Sequence, residues 1–214
     1  VTPATTAAAG LYLFADLPPG SYYVVFDLAT LPAGYTVTTQ DVGSNGFDPQ
    51  DSDADPSTGK TSATPSLIDG QADLTLDMGI FNPVTVGDYV WYDNNRDGLQ
   101  GSAVDEPGVA GVKVTLFKSD GTPVTQDAAG QPIAPLLTDS SGRYSFQNLL
   151  PDSYYVQFDL STLPAGYLVT TPDVSGNSSN ALDSDADATG KTAATASLKN
   201  GEADLTLDMG IYRP

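Results

Sequence analysis

The chain has 214 residues, a mass of 22.2 kDa and a formal net charge of −19, with 27 acidic residues against 8 lysines and arginines and neither cysteine nor histidine. Disulfides, imidazole-based catalysis and the usual transition-metal ligands are thereby excluded, and so acidic a surface is unsuited to nucleic acid. No apolar run reaches the length of a membrane-spanning helix.

The acid is almost all aspartate: 25 Asp against Glu106 and Glu202. Aspartate competes with the helical backbone and favours turns, caps and metal loops, so the charge is expected in loops. Hydrophobic residues make up 40% of the chain, enough for packed cores, and the length allows one large domain or two small ones. The opening VTPATTAAAGLYLF has no charged n-region and does not read as a signal peptide. It reads as the start of a fragment or of a processed product.

Self-comparison organises everything that follows. Gly10–Pro83 matches Gly142–Pro214: YYVVFDLATLPAGYTVTTQDV at 22–42 recurs as YYVQFDLSTLPAGYLVTTPDV at 154–174, and QADLTLDMGIFNP recurs as EADLTLDMGIYRP. The offset is 132 residues before the acidic loop and 131 after it, so one repeat is about one domain long. Residues 1–83 are read as an incomplete repeat lacking its N-terminal strands, and 84–214 as a complete one.

In chain order, the complete repeat opens with the strand-like VTVGDYVWY (84–92). VKVTLF (112–117) alternates Val112, Val114 and Leu116 with Lys113 and Thr115. YSF (144–146) places Tyr144 and Phe146 on one face. Tyr154, Val156, Phe158 and Leu160 share another, and in the last strand Leu205, Leu207 and Met209 oppose Asp204, Thr206 and Asp208. Period-two alternation marks half-buried antiparallel strands, and SDGT (119–122) and DSSG (139–142) are turn chemistry. No stretch offers an amphipathic helix. The expected fold is all-β: tandem Greek-key, prealbumin-like β-sandwich domains.

Two loops invite a metal. In DNNRDGLQGSAVDEPG (93–108), Asp93, Asn95 and Asp97 offer oxygens at alternate positions, Gly98 permits a sharp turn, the Leu99 carbonyl can join, and Glu106 can close the shell. Calcium requires six to eight hard oxygens of this kind. Glu106 is the fourteenth loop residue rather than the twelfth, so the loop carries two extra residues. The alternative is a solvated Asp/Asn/Gly turn. The second loop carries Asp173, Asn177, Asp183, Asp185 and Asp187, matched in the first repeat by Asp41, Asn45, Asp51, Asp53 and Asp55. Alternating aspartates repel unless a cation is present, so this loop too is read as calcium-binding, against a flexible acidic loop. Asp139 corresponds to Ala7 in the repeat that also lacks the 93–106 loop. Either Asp139 shares that site, or the turn has drifted. Asp77 and Asp208, on the polar face of a strand that disfavours aspartate, either reach a nearby site or face water, and water is the reading preferred.

Other chemistry fares worse. A Lys–Asn isopeptide crosslink at Lys113 or Lys118 requires a buried lysine and a facing asparagine, and the last strand of the complete repeat has no Asn. Paired carboxylates could hydrolyse glycosides, but the acids fall in turns and the aromatics on strands, so catalysis is not expected.

The ordered series VGDYVWYDNNRDGLQ, DEPGVAGVKVTLF, TDSSGRYSFQNLLPDSYYVQF, PAGY, DSDAD and TLDMGIY resembles the B domain of bacterial serine–aspartate-repeat surface proteins, in the wider collagen-adhesin B-type group. The resemblance covers the whole second repeat and the later two-thirds of the first. It implies a prealbumin-like sandwich, calcium sites on Asp93, Asn95, Asp97 and Glu106 with Asp139 nearby, and a place in the stalk of a secreted or wall-linked protein. The expected function is therefore structural: an extracellular module rigidified by Ca2+, with neighbouring repeats as partners and head-to-tail assembly by strand complementation as a further possibility. An adhesin module that binds a host protein or glycan is the alternative.

Overall fold

The computed structural model describes residues 1–42, 51–174 and 181–214. Its contacts divide the chain into two compact units, Val1–Phe81 and Asn82–Pro214. In the first, β1 (Thr36–Val37) and β2 (Ile80–Phe81) pair antiparallel. Among the described residues the second holds eight strands: β3 (Val84–Tyr92), β4 (Lys113–Lys118), β5 (Leu136–Leu137), β6 (Arg143–Leu149), β7 (Tyr154–Phe158), β8 (Leu168–Val169), β9 (Ala203–Asp204) and β10 (Met209–Tyr212). One sheet runs β6-β3-β10-β8 with β9 also against β3, and the other runs β5-β4-β7.

The sheets face each other across one core. Alternate residues of β4, β6 and β7 (Val114, Leu116, Tyr144, Phe146, Tyr154, Val156 and Phe158) are buried in it, as the period-two pattern predicts. From β3, Val84, Val86 and Val90 enter the same core with no exposed surface. Asp159 starts a short 3-10 turn, Leu160–Thr162, by accepting a hydrogen bond from the Ser161 amide.

The first sheet is built around β3. On one edge β6 pairs with residues 84–89. Val90 N–H then donates to the Gly142 carbonyl just before β6, at 2.8 Å, and beyond it the chain at 107–109 takes over: Val109 N–H donates to the Val90 carbonyl and Tyr92 N–H to the Pro107 carbonyl, at 2.8 and 3.0 Å. On the other edge β9 and β10 run parallel to it, with Val86 opposite Asp204 and Val90 opposite Met209. Three residues separate the first two positions and four the second two, so the last strand is bulged.

That bulge overturns the alternation expected for 204–209. Leu205 is exposed, while Leu207, Asp208 and Met209 are all buried. Asp208 does not face water: its Oδ1 accepts the Tyr89 N–H at 3.1 Å, taking the place of a backbone acceptor where the bulge interrupts the ladder.

A buried threonine ties the two sheets' connections together. Thr138 Oγ1 donates to the Val109 carbonyl at 2.6 Å and accepts the Val112 N–H at 2.9 Å. Thr138→Val leaves two buried backbone groups without partners and is expected to cost about 2–4 kcal/mol. Urea unfolding followed by Trp91 fluorescence checks this, because Trp91 is the chain's one tryptophan and lies in the second unit.

Candidate metal centre

The loop 93–106 leaves from the end of β3 and returns beside it. The Trp91–Gly108 bridge and the Tyr92–Pro107 hydrogen bond close its base, which sets Asp93 beside Glu106. The two extra residues are absorbed in a turn, where the Asp105 and Glu106 amides both donate to the Ser102 carbonyl. Ligand atoms of Asp93, Asp97 and Glu106 lie within 4.8 Å of one another.

Asp93 and Glu106 are each held by one oxygen and Asp97 by both. Asp93 Oδ2 accepts from the Gly98 N–H at 3.1 Å and from the Thr170 hydroxyl. Glu106 Oε2 accepts the Gly101 N–H at 2.6 Å. Asp97 accepts from the Leu99 N–H and from Asn95 Nδ2, both at 2.8 Å, and its own N–H donates to Asn95 Oδ1. Asp93 and Glu106 are 1% and 3% exposed, and their other oxygens, Asp93 Oδ1 and Glu106 Oε1, have no hydrogen-bond partner among the described residues. Two ionised carboxylates this close repel by roughly 3 kcal/mol at an effective dielectric constant of about 20. A hard divalent cation satisfies both orphaned oxygens and removes the repulsion, so the donor set fits calcium.

The second acidic loop is brought against the first. Leu99 bridges to Asp183, the Gln100 N–H donates to the Leu182 carbonyl, and the Ser184 N–H donates to the Gly98 carbonyl. Its aspartates take separate roles. Asp183 is buried with Oδ1 unpartnered among the described residues. Asp185 braces the last strand: its Oδ2 accepts the Asp208 N–H at 2.8 Å, while Ser184 Oγ accepts the Gly210 N–H at 3.1 Å. Asp187 turns back on its own loop and accepts from the Thr189 and Lys191 amides. Asp173 is exposed at φ 47°, with its N–H donating to the Ser184 carbonyl.

The first unit repeats this brace. Asp53 is buried and accepts the Asp77 N–H at 2.5 Å, and Ser52 Oγ accepts the Gly79 N–H at 3.2 Å. Asp55 holds its own turn through Ser57 and Thr58, Asp41 is exposed at φ 49°, and Asp51 is half-buried. Asn45 and Asn177 lie outside the described residues. Asp139 is exposed and outside the three-carboxylate group. Its Oδ1 accepts from the Ser141 and Arg143 amides within its own turn. Lys113 and Lys118 pair with Asp159 and Asp152 at half-exposed positions, without the burial an isopeptide needs.

Asp208, for which water is the preferred expectation, is instead fully buried. Burial, reinforced by Asp88 and Asp185, pushes its carboxyl up to about 9 despite the Tyr89 hydrogen bond. Burial also pushes Asp185 up to about 7, against the hydrogen bond from the Asp208 amide and with added repulsion from Asp183. An aspartate retained in both copies of LTLDMG, on a strand that disfavours it, was the available signal.

The second unit is thus a β-sandwich repeat module with an acidic centre at the end of its central strand. The SdrD B-like domain family model matches residues 1–80 and 84–211, and the chain belongs to that family. It is 36% identical over 210 residues to the serine-aspartate repeat-containing protein F of Staphylococcus epidermidis, covering 98% of this chain and 11% of that protein. It is equally similar, over 211 residues, to the serine-aspartate repeat-containing protein D of Staphylococcus aureus, covering 98% and 14%. The chain therefore spans about an eighth of these relatives' length. Among solved structures, the minor pilin GBS52 of Streptococcus agalactiae aligns over 99% of this chain and 67% of its own, at 16% identity and a TM-score of 0.39.

Asp185 and Asp208 both sit above the unfolded-state value near 3.9, so the folded unit holds protons that the unfolded chain releases. This contribution is complete below about pH 4 and is lost as pH rises through about 7 and about 9. In chelator, the urea midpoint read from Trp91 is expected to fall between pH 5 and pH 9. Asp208→Asn keeps an acceptor for the Tyr89 amide and should flatten that fall. A midpoint that rises over this range contradicts the assignment.

Proposed function

We propose that the chain is a structural module of an extracellular bacterial surface protein, whose tandem β-sandwiches are rigidified by calcium. Neighbouring repeats of the same protein are its partners, with end-to-end assembly through strand complementation as the extended form. The observation that carries the calcium reading is the pair of buried, unpartnered oxygens on Asp93 and Glu106, facing Asp97 within one ion's reach. Family membership supports the surface-module reading.

Asp93, Asp97 and Glu106 would hold the ion, with the Asn95 side chain and the Leu99 carbonyl available beside them. Bound calcium would supply the positive charge that offsets the repulsion among these carboxylates. The protein's own part is to hold the two ends of the loop together at the base of β3 and to tie the loop to residues 182–184. Fixing these connections stiffens one end of the sandwich, which suits a stalk. Among the described residues no helix is long and apolar enough to cross a membrane, and the net charge of −19 suits neither nucleic acid nor an anionic surface.

A ligand that binds only the folded state stabilises it by about 2.7 kcal/mol at a concentration one hundred times its Kd. Thermal unfolding of the full chain, followed by Trp91, is expected to shift upward by several degrees in millimolar calcium over chelator. Asp93→Asn, Asp97→Ala and Glu106→Gln should each remove most of the shift, whereas Asp139→Ala should keep it. An unchanged midpoint in calcium would sink the calcium reading and leave the fold and family untouched.

A further inference from the structure

Asp93 has one oxygen open and one closed, and a residue from outside the 93–106 loop decides which. Its Oδ2 accepts from the Gly98 N–H at 3.1 Å and from the Thr170 hydroxyl. Two donors occupy both lone pairs of that oxygen. Oδ1 stays buried without a hydrogen-bond partner among the described residues. Thr170 and Asp93 stand 77 residues apart in the chain, so the spacing of the loop does not announce the pair.

The place of Thr170 is fixed by its backbone. It follows β8 directly and is 4% exposed. Its N–H donates to the Gly210 carbonyl at 2.9 Å, and the Ile211 carbonyl, one residue on, accepts the Asp93 N–H at 2.8 Å. β10 thus anchors the main chains of Thr170 and Asp93 at adjacent positions, and their side chains meet. Gly210 leaves the room they need: a Cβ there would come within 2.7 Å of Thr170 Cγ2 and 2.9 Å of Trp91 Cζ2. The residues after Thr170 close over the loop itself. A Cβ on Gly98 would lie 2.3 Å from Val174 Cγ2 and 2.9 Å from the Thr171 carbonyl oxygen, and the Ser184 N–H holds the Gly98 carbonyl at 3.1 Å. Both donors to Asp93 Oδ2 are therefore set by the same segment, one directly and one by contact.

We propose that Thr170 is a positioning residue for the metal centre: its hydroxyl engages Asp93 Oδ2 and so leaves Oδ1 for the ion. The inference rests on the calcium reading of that centre. A carboxylate's last torsion is broad and soft, so a buried aspartate held by one donor can turn its oxygens away from a shared focus. A second donor on the same oxygen stops that rotation, and a hydroxyl bonded to an ionised carboxylate also offsets part of the cost of burying its charge. Outer partners of this kind typically account for about ten- to a hundredfold in metal affinity.

The test uses the full chain, with Tb3+ as the probe and Ca2+ as its competitor. Trp91 is the chain's one tryptophan and lies two residues before Asp93, so terbium luminescence excited through it reports this centre. Affinities are read at a temperature at which every variant is folded, which separates binding from stability. Thr170→Val keeps the branched shape beside Gly210 and removes the hydroxyl. It is expected to weaken both ions by about tenfold or more, and Thr170→Ser to restore wild-type binding. Thr195 is the control. It is also buried, and its hydroxyl accepts the Tyr154 N–H and donates to the Ala196 carbonyl. Thr195→Val should lower the urea midpoint and leave the affinities unchanged. In an Asp93→Asn chain, Thr170→Val should cause no further loss, because the two side chains act as one. Should Thr170→Val fail to fold, Thr170→Cys, whose S–H is a weak donor, carries the same comparison. Wild-type affinity without the hydroxyl, a serine variant as weak as the valine one, an equal loss in Thr195→Val, or a further loss in the Asp93→Asn chain overturns the proposal and leaves the calcium reading standing. A wild-type chain from which calcium displaces no terbium overturns both.

Discussion

The second unit depends on a single constraint: β3 is hydrogen-bonded along both edges for almost its whole length. β6 and then residues 107–109 fill one edge, and residues 203–211 fill the other. With its backbone satisfied inside the sheet, the strand can bury Val84, Val86, Val90 and Trp91 completely. Its C-terminal end is consequently among the most fixed positions in the unit, and Asp93 is the next residue. The Asp93 amide continues the ladder by donating to the Ile211 carbonyl at 2.8 Å. The acidic centre is thus grown from a rigid strand end rather than from a free loop, which suits a site whose ligands must converge.

The aspartates sort by where their oxygens go. Asp55, Asp127, Asp139, Asp159 and Asp187 each accept amides of their own turn, and their carboxyls lie below the usual range, held there first by side-chain hydrogen bonds from Ser57, Asn148, Lys113 and Thr189 to Asp55, Asp127, Asp159 and Asp187, and by the Arg143 amide at Asp139. Asp53, Asp93, Glu106, Asp183, Asp185 and Asp208 are buried. Composition and spacing do not separate the two groups. In DSDAD, three acids at alternate positions become a buried carboxylate, a strand brace and a turn cap. What decides is whether the loop docks on another backbone edge, and that is a tertiary fact. The same holds for Asp139, whose loss from the first repeat together with the 93–106 loop suggested a shared site; its carboxylate is spent within its own turn.

The strands β4 and β6 were legible because each presents one face to the core and so alternates cleanly, and β3 and β7 because their runs of β-branched and aromatic residues are strand-like. Glu106 was legible as an acid near the loop, but its place beside Asp93 follows from the Trp91–Gly108 pairing, which no local pattern encodes. The last strand was misread for a related reason. One extra residue between Asp204 and Met209 shifts the phase, so Leu205 turns outward and Asp208 inward. A single-residue bulge leaves no mark on composition, and it shifts the alternation on one side of it relative to the other, so that Leu207, Asp208 and Met209 are buried in succession.

Comparison of the two copies of that aspartate isolates what β3 contributes. The serine–aspartate brace is present in both units, through Ser52 and Asp53 in one and Ser184 and Asp185 in the other, so it forms without a strand in the β3 position. Burial of the aspartate does not. Asp77 is exposed, and its carboxyl is raised by partial desolvation alone. Asp208, covered by β3, is raised to about 9 by fuller burial and by the nearby charges of Asp88 and Asp185. Asp88 is itself carried in on β3. Docking of the strand therefore brings a second acid toward one it is burying, and the Tyr89 amide only partly offsets the cost. At neutral pH the sandwich closes at the expense of holding Asp208 protonated. By linkage, a proton on Asp208 and a strand against residues 203–211 favour each other. The acid that closes the strand's edge is thus set apart from the acids of the 93–106 loop, whose buried oxygens on Asp93 and Glu106 face one another.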